Sequence, residues 1–292
     1  MSEELPTKKV TPVNLLEAAG VIIVIQLVAL SITAQNLPVY TIIVNNNGCS
    51  YCPAGTSPGG SAINAVLLVA FAFALTLGLV WLLRRKMVLS FKVIIFGSVA
   101  FSAFVLTLVT ADVFAVNYFP SSFELPISFG SAALAVALIA YTIFIKNRVW
   151  LATIILAFVG AEVGSFFAET LSPLTALALP IAFSFYDIYA VFKGPLKALV
   201  GTAPNLALVG MSIKAGEFTL GLGDIVFYTM LPSLALFQFN HAFGPYPALY
   251  TMVAIIAGMS LTLYLLTKRR LLPGLPIPML FGVLVLVYYI LV

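Results

Sequence analysis

All fourteen lysines and arginines of this 292-residue chain fall in alternate gaps between long apolar runs. The runs cover roughly residues 13–34, 62–83, 93–113, 126–145, 149–168, 171–192, 220–237, 247–267 and 275–292. Each is close to the length of about 20 residues that an α-helix needs to cross the hydrocarbon core of a bilayer. Lys8 and Lys9 precede the first run. Arg84, Arg85, Lys86 and Lys92 stand between the second and third, and Lys146 and Arg148 between the fourth and fifth. Lys193, Lys197 and Lys214 stand between the sixth and seventh, and Lys268, Arg269 and Arg270 between the eighth and ninth. The other four gaps carry no basic residue. A miscounted span would scatter these charges over both sides. The pattern therefore predicts an all-α, polytopic membrane protein with nine transmembrane helices, its N-terminus cytoplasmic and its C-terminus outside.

Composition agrees with that reading. Hydrophobic residues make up 62% of the chain and charged residues 8%, against about 45–50% and about 25% in soluble domains. A soluble globular fold, a disordered chain and a disulfide-rich secreted domain are excluded. The net charge of +4 is spread over the loops and gives no reason to expect a nucleic-acid partner. The first run is too long for a signal-peptide core and lacks a cleavage site, so it reads as a retained span. No strong internal repeat is present. Residues 1–292 read as one membrane-embedded domain: spans 1–6 over about 13–192, a cytoplasmic loop over 193–219, and spans 7–9 over about 220–292. The longest outer loop, around 35–61, holds Cys49 and Cys52.

In so apolar a chain the acids at membrane depth carry the information, because a carboxyl group kept there marks a site or a structural pair. Glu3, Glu4, Glu17, Asp112, Glu124, Glu169 and Glu217 lie in loops or near span ends. Glu162, Asp187 and Asp224 remain. Glu162 reads as a structural hydrogen-bond partner in span 5. Asp187 lies six residues before Lys193 and Asp224 seven after Glu217. Six residues of helix rise about 9 Å, so antiparallel spans 6 and 7 place the two aspartates at a similar depth in the cytoplasmic third. Two carboxyl groups sharing one site do not readily both ionise and hold a single proton between them. The ionised member can take a proton from water while the protonated member polarises a carbonyl, which is general acid–base hydrolysis of an amide without a covalent intermediate. On charge placement alone the alternative stays open that these are two unrelated buried acids. Gly221 and Gly223, lacking Cβ atoms, are expected to admit a neighbouring backbone beside Asp224. At the same level Pro273, Gly274, Leu275 and Pro276 interrupt regular helix before span 9. Irregular backbone at that depth is tolerated where it is buried in protein or lines a wet cavity.

Tyr186-Asp187-Ile188-Tyr189-Ala190-Val191 and Leu220-Gly221-Leu222-Gly223-Asp224 through Tyr228 resemble the motifs of the presenilin and signal peptide peptidase family of intramembrane aspartyl proteases, with flanks closer to presenilin. The order of motifs, the span count and the orientation extend the resemblance over the whole chain. It implies an intramembrane aspartic endopeptidase, a hydrolase that cuts transmembrane segments of membrane proteins or signal peptides. Asp187 and Asp224 would be the catalytic pair, and Tyr186, Gly221, Leu222 and Gly223 would support the site. The family's Pro-Ala-Leu motif at the start of the last span reads Pro273-Gly274-Leu275 here, followed by Pro276. A literal Pro247-Ala248-Leu249 opens span 8 from the other side and is a coincidence. The loop between spans 6 and 7 is short beside that of presenilins. This implies a compact microbial, archaeal-type homologue that works uncut and without accessory subunits, as a multi-pass protein of the cell membrane and a possible homo-oligomer. By the same analogy the apolar run 206–213 offers a strand edge to an unwound substrate. No cofactor or metal is implied, since one histidine and two cysteines supply no ligand set. His241 is expected in an outer loop. The competing reading is an ion- or proton-coupled transporter using the same aspartates.

Overall fold

The computed structural model describes residues 12–44, 53–144, 149–192, 212–215, 218–268 and 272–292. Nine α-helices follow one another among them: α1 (Pro12–Val44), α2 (Pro58–Arg84), α3 (Val88–Tyr118), α4 (Glu124–Phe144), α5 (Val149–Thr170), α6 (Pro173–Phe192), α7 (Leu222–Phe243), α8 (Tyr246–Lys268) and α9 (Pro276–Leu291). Between α6 and α7 lie two short strands, β1 (Ser212–Ala215) and β2 (Phe218–Gly221). Eight of the helices are long and apolar enough to cross a membrane, and α9 is a shorter apolar helix of 16 residues. The chain is thus a polytopic, mainly helical membrane protein.

Helix ends depart from the apolar runs in a consistent direction. α1 has 33 residues and α3 has 31, since both helices continue through polar residues such as Gln35, Asn36 and Asn117. Much of the outer loop expected over 35–61 is therefore helix. His241 lies exposed in the last turn of α7 rather than in a loop. Span 7 goes the other way. Its helix starts at Leu222 and not at 220, because Leu220 and Gly221 pair across an antiparallel ladder with Ile213 and Ser212. Cys49 and Cys52 lie outside the described residues, as do residues 206–211 of the run expected to offer a strand edge. Ser212 and Ile213 of that run fall in β1.

α7 sits at the centre, packed against α1, α5 and α8. Ile225, Tyr228, Met230, Leu231, Leu234 and Ala235 are all buried, so side chains on every face of this helix meet protein. Two glycines explain how α5 comes so near. A Cβ on Gly160 would stand 2.8 Å from Ile225 Cγ2, and one on Gly164 would run into Thr229 Oγ1 and come within 2.7 Å of the Val226 carbonyl. Spaced four apart on one helix face, they remove the side chains that would hold the axes apart, as small residues do between membrane helices. The polar side chains in this seam are hydrogen-bonded. Thr229 Oγ1 lies 2.9 Å from the Ile225 carbonyl, and Ser165 Oγ donates to Ala29 O at 3.0 Å, tying α5 to α1. α3 and α4 pack on each other, and with α5 they form a second, smaller apolar cluster around Ala103, Ile139, Ile155 and Val159. α9 folds back on α8 and also touches α6 and α7, which brings its first residues to the end of the bundle where α6 stops and α7 begins.

Candidate active site

Asp187 lies on α6, five residues before the helix ends at Phe192. Asp224 lies in the first turn of α7. Both are half-buried. The hairpin sets the second position. β2 ends at Gly221, and Gly221 is also the N-cap of α7, with extended φ −66° and ψ 142°. Asp224 is then the third helical residue, and its carboxylate folds back to the Gly221 backbone N–H. An acid here satisfies one of the free donors of a helix N-terminus, as in half of a capping box. The Gly-Leu-Gly-Asp run is therefore a strand-to-helix junction that fixes the carboxylate from its own backbone.

Residues Pro273–Leu275 lie between the two acids. They are irregular, and α9 begins at Pro276. The Leu275 backbone N–H donates to Asp187 Oδ2 at 3.1 Å. The adjacent Gly274 lies against the other acid, where a Cβ would stand 3.0 Å from Asp224 Oδ2. One peptide unit thus touches both carboxyl groups, and the two carboxylates lie within electrostatic range of one another. Glycine at 274 leaves room for the Asp224 carboxylate beside the segment. An alanine would require the carboxylate end to yield by a few tenths of an ångström.

Tyr228 completes the arrangement and was not foreseen from the sequence. It is one turn beyond Asp224 on α7, is almost fully buried, and donates from its hydroxyl to the Gly274 carbonyl at 3.0 Å. Its own carbonyl accepts from Gln26 Nε2 of α1 at 2.9 Å. The i, i+4 spacing from Asp224 was the available signal, since residues four apart share a helix face. The irregular segment is pinned at successive residues: Gly274 through its carbonyl to α7, and Leu275 through its N–H to α6.

The remaining sequence expectations divide. Tyr186 turns to α2, with its hydroxyl 3.1 Å from Thr76 Oγ1 and its ring edge-on to Phe73 and Phe183. It buttresses α6 and makes no described contact with either aspartate. Leu222 packs against Gly160 of α5. The expectation that Gly221 and Gly223 admit a neighbouring backbone is corrected. A Cβ on Gly223 would meet nothing within 4 Å, and one on Gly221 would meet only the Asp224 carboxylate. Gly221 makes room for the catalytic candidate itself, and Gly223 lies exposed in the helix start. Glu169, placed near a span end from the sequence, is buried and takes both amide contacts of Asn36, at 3.0 and 3.2 Å. Among the described residues no group of three or more His, Cys, Asp or Glu side chains forms a metal site.

No protein-family model matches the chain. Presenilin-B of Dictyostelium discoideum is 36% identical over 121 residues, a stretch that makes up 38% of this chain and 24% of that protein. The chain therefore aligns with about a quarter of the length of this curated relative. Two solved structures of a presenilin family intramembrane aspartate protease superpose over nearly the whole chain. The one in the P2 space group has a TM-score of 0.61 and covers 98% of this chain and 100% of its own. The one in C222 has a TM-score of 0.58 and covers 93% and 99%. Both are 20% identical in sequence. The chain has the fold of the presenilin family and shares a stretch of sequence with a presenilin.

Proposed function

We propose that this presenilin-fold chain is an intramembrane aspartic endopeptidase, cutting peptide bonds inside transmembrane helices with Asp187 and Asp224 as a dyad and water as the nucleophile. The observation that carries the reading is the single peptide unit of Gly274 and Leu275 that lies against one carboxylate and donates to the other. It holds two acids from different helices on one small site, where they share a proton. The ionised carboxylate takes a proton from water and later passes it to the leaving amine, while the protonated one hydrogen-bonds the scissile carbonyl and keeps its proton at the end of the cycle. Tyr228, Gly221 and the segment 273–276 position the pair.

A helix hides its amides, so a substrate must unwind before the dyad can reach a carbonyl. Backbone pairing to a strand edge stabilises the extended form. β1 and β2 form a two-stranded sheet running directly into Asp224. A substrate strand added to that sheet would be delivered to the carboxylates. In this reading α9 is the ninth span, the N-terminus is cytoplasmic and the C-terminus outside, and residues 1–292 act as one domain. The protein sits multi-pass in the cell membrane of a microbe, as a possible homo-oligomer that needs no accessory subunit. The basic residues on one set of loops support that orientation. A transporter using the same acids is less well supported, since the sequence has no strong internal repeat and the fold is that of the presenilin family.

The direct test is incubation of the purified protein in detergent with a single-span peptide, with and without a transition-state-mimicking inhibitor of aspartyl proteases. Inhibitor-sensitive fragments are expected by mass spectrometry. Proton-coupled flux in proteoliposomes without any fragment would replace the proposal with the transporter.

Tyr228→Phe gives a finer check. It keeps the ring packing and removes only the bond to Gly274, leaving a carbonyl in the site without its donor. A hydrogen bond of this kind contributes about 1 kcal/mol. The initial rate is expected to fall about fivefold, and the melting temperature to drop by a few degrees because the Gly274 carbonyl loses its donor. An unaltered rate would remove Tyr228 from the positioning machinery.

A further inference from the structure

Gln26 sits near the middle of α1 and is fully buried. A primary amide is costly to bury among apolar side chains, so what it pairs with is informative. Its Nε2 donates to the Tyr228 carbonyl of α7 at 2.9 Å. Its Oε1 is buried and meets no hydrogen-bond partner among the described residues. Only the donor end is paired.

The acceptor is unusual. In a regular helix the carbonyl of residue 228 accepts from the N–H of residue 232. Residue 232 is a proline, buried inside α7. Proline has no N–H, and its ring crowds the carbonyl four residues back. The Tyr228 carbonyl therefore has no helical donor at i+4, and the α1 amide takes that donor's place. Prolines are tolerated in membrane helices where a neighbour satisfies the freed carbonyl. The hydroxyls closest along α7 serve other partners: Thr229 Oγ1 lies 2.9 and 3.0 Å from the Ile225 and Val226 carbonyls, and Ser233 Oγ is 3.5 Å from Ser165 Oγ. Tyr228 is also the residue whose hydroxyl donates to the Gly274 carbonyl, and the next residue, Leu275, donates to Asp187. One path of contacts thus runs from α1 through Tyr228 and the 274–275 peptide to the carboxylate on α6.

We propose, on the dyad reading of the site, that Gln26 is a positioning residue for hydrolysis: it supplies the donor that Pro232 removes, and so fixes the backbone of Tyr228 and the segment that holds Asp187. This differs from ordinary pairing between two helices in one respect. Gln26 is needed only because residue 232 is proline.

The test is a cycle of Gln26→Met and Pro232→Ala in the full chain, read by cleavage of a single-span peptide and by melting temperature. Methionine keeps the length of the side chain and offers no donor. Gln26→Met is expected to lower kcat about fivefold with KM unchanged, the scale of one net hydrogen bond. In the Pro232→Ala background residue 232 has its own N–H, and the same substitution should change kcat less than twofold. Melting gives a readout that does not depend on cleavage. In the Pro232 chain, Gln26→Met removes the donor to Tyr228 but also the unpaired Oε1, and the two effects oppose one another. In the Pro232→Ala background only the relief of Oε1 remains, so Gln26→Met should raise the melting temperature there. Should Pro232→Ala fail to fold, Gln26→Glu takes its place. Its carboxyl group, when protonated, still donates from a side chain of the same length, so at the acid end of the cleavage range its kcat should stand near wild type and well above that of Gln26→Met. An equal loss of kcat from Gln26→Met in both backgrounds, or in the Met and Glu variants alike, would overturn the proposal. So would a wild-type rate for Gln26→Met. A wild-type chain that cuts nothing would instead remove the dyad, and the two failures are told apart before any variant is made.

Discussion

Asp187→Asn and Asp224→Asn are each expected to lower the rate of peptide-bond cleavage at least about a hundredfold, the scale of a lost general acid or base. The double variant should be no slower than either single one, since two groups sharing one proton act as a unit. The fold should survive. In Asp224→Asn the amide oxygen can still accept from the Gly221 N–H. In Asp187→Asn it can still accept from the Leu275 N–H, at the 3.1 Å position now held by Asp187 Oδ2. Melting temperatures should therefore stay within a few degrees of wild type. Asp187→Ala separates chemistry from architecture. It removes the same activity but also strips Leu275 of its acceptor, which costs about 1–3 kcal/mol and lowers the melting temperature. Cleavage that persists in either Asn variant, at a site the inhibitor protects, would rule out the dyad.

The course of the chain was legible because membrane helices advertise themselves twice, by apolar length and by the loops that hold the charges. Asp187 and Asp224 were legible for the related reason that a carboxyl group among apolar residues is costly and therefore informative. What was lost lies one level down. Apolarity marks where lipid is, not where backbone hydrogen bonding stops, so α1 and α3 outran their predicted ends. Leu220 and Gly221 open an apolar run and so suggest helix, although Phe218-Thr219-Leu220 carries residue types that suit a strand and pairs with Ser212–Ala215. Direction around a helix was lost as well. Tyr186 adjoins Asp187 in sequence yet points to Thr76, while Tyr228, four residues beyond Asp224, points into the site. The four-residue rule separates those two cases and adjacency does not. Gly160 and Gly164 carried a readable spacing too, and it marks the contact that centres α7 in the bundle.

The same logic of close approach makes Gly258→Ala a damaging small substitution away from the carboxylates. Gly258 faces α9, where an added Cβ would stand 2.6 Å from Pro278 Cα and 3.0 Å from Pro278 N. These are backbone atoms in the first turn of α9, so no side chain can swing aside and the helices must part. Overpacking of this kind costs about 1–3 kcal/mol. Gly258→Leu, with three further carbons in the same gap, should cost more. The displaced turn begins at Pro276, directly after the residue whose N–H holds Asp187, so cleavage should fall together with the melting temperature. Gly97→Ala on α3 is the opposite case. Its Cβ would meet nothing within 4 Å, and replacing a helical glycine by alanine in open space stabilises by up to about 1 kcal/mol. The two substitutions add the same methyl group and are expected to move the melting temperature in opposite directions. If Gly258→Ala melts at or above wild type and retains full cleavage, contact between α8 and α9 does not hold the irregular segment against the aspartates.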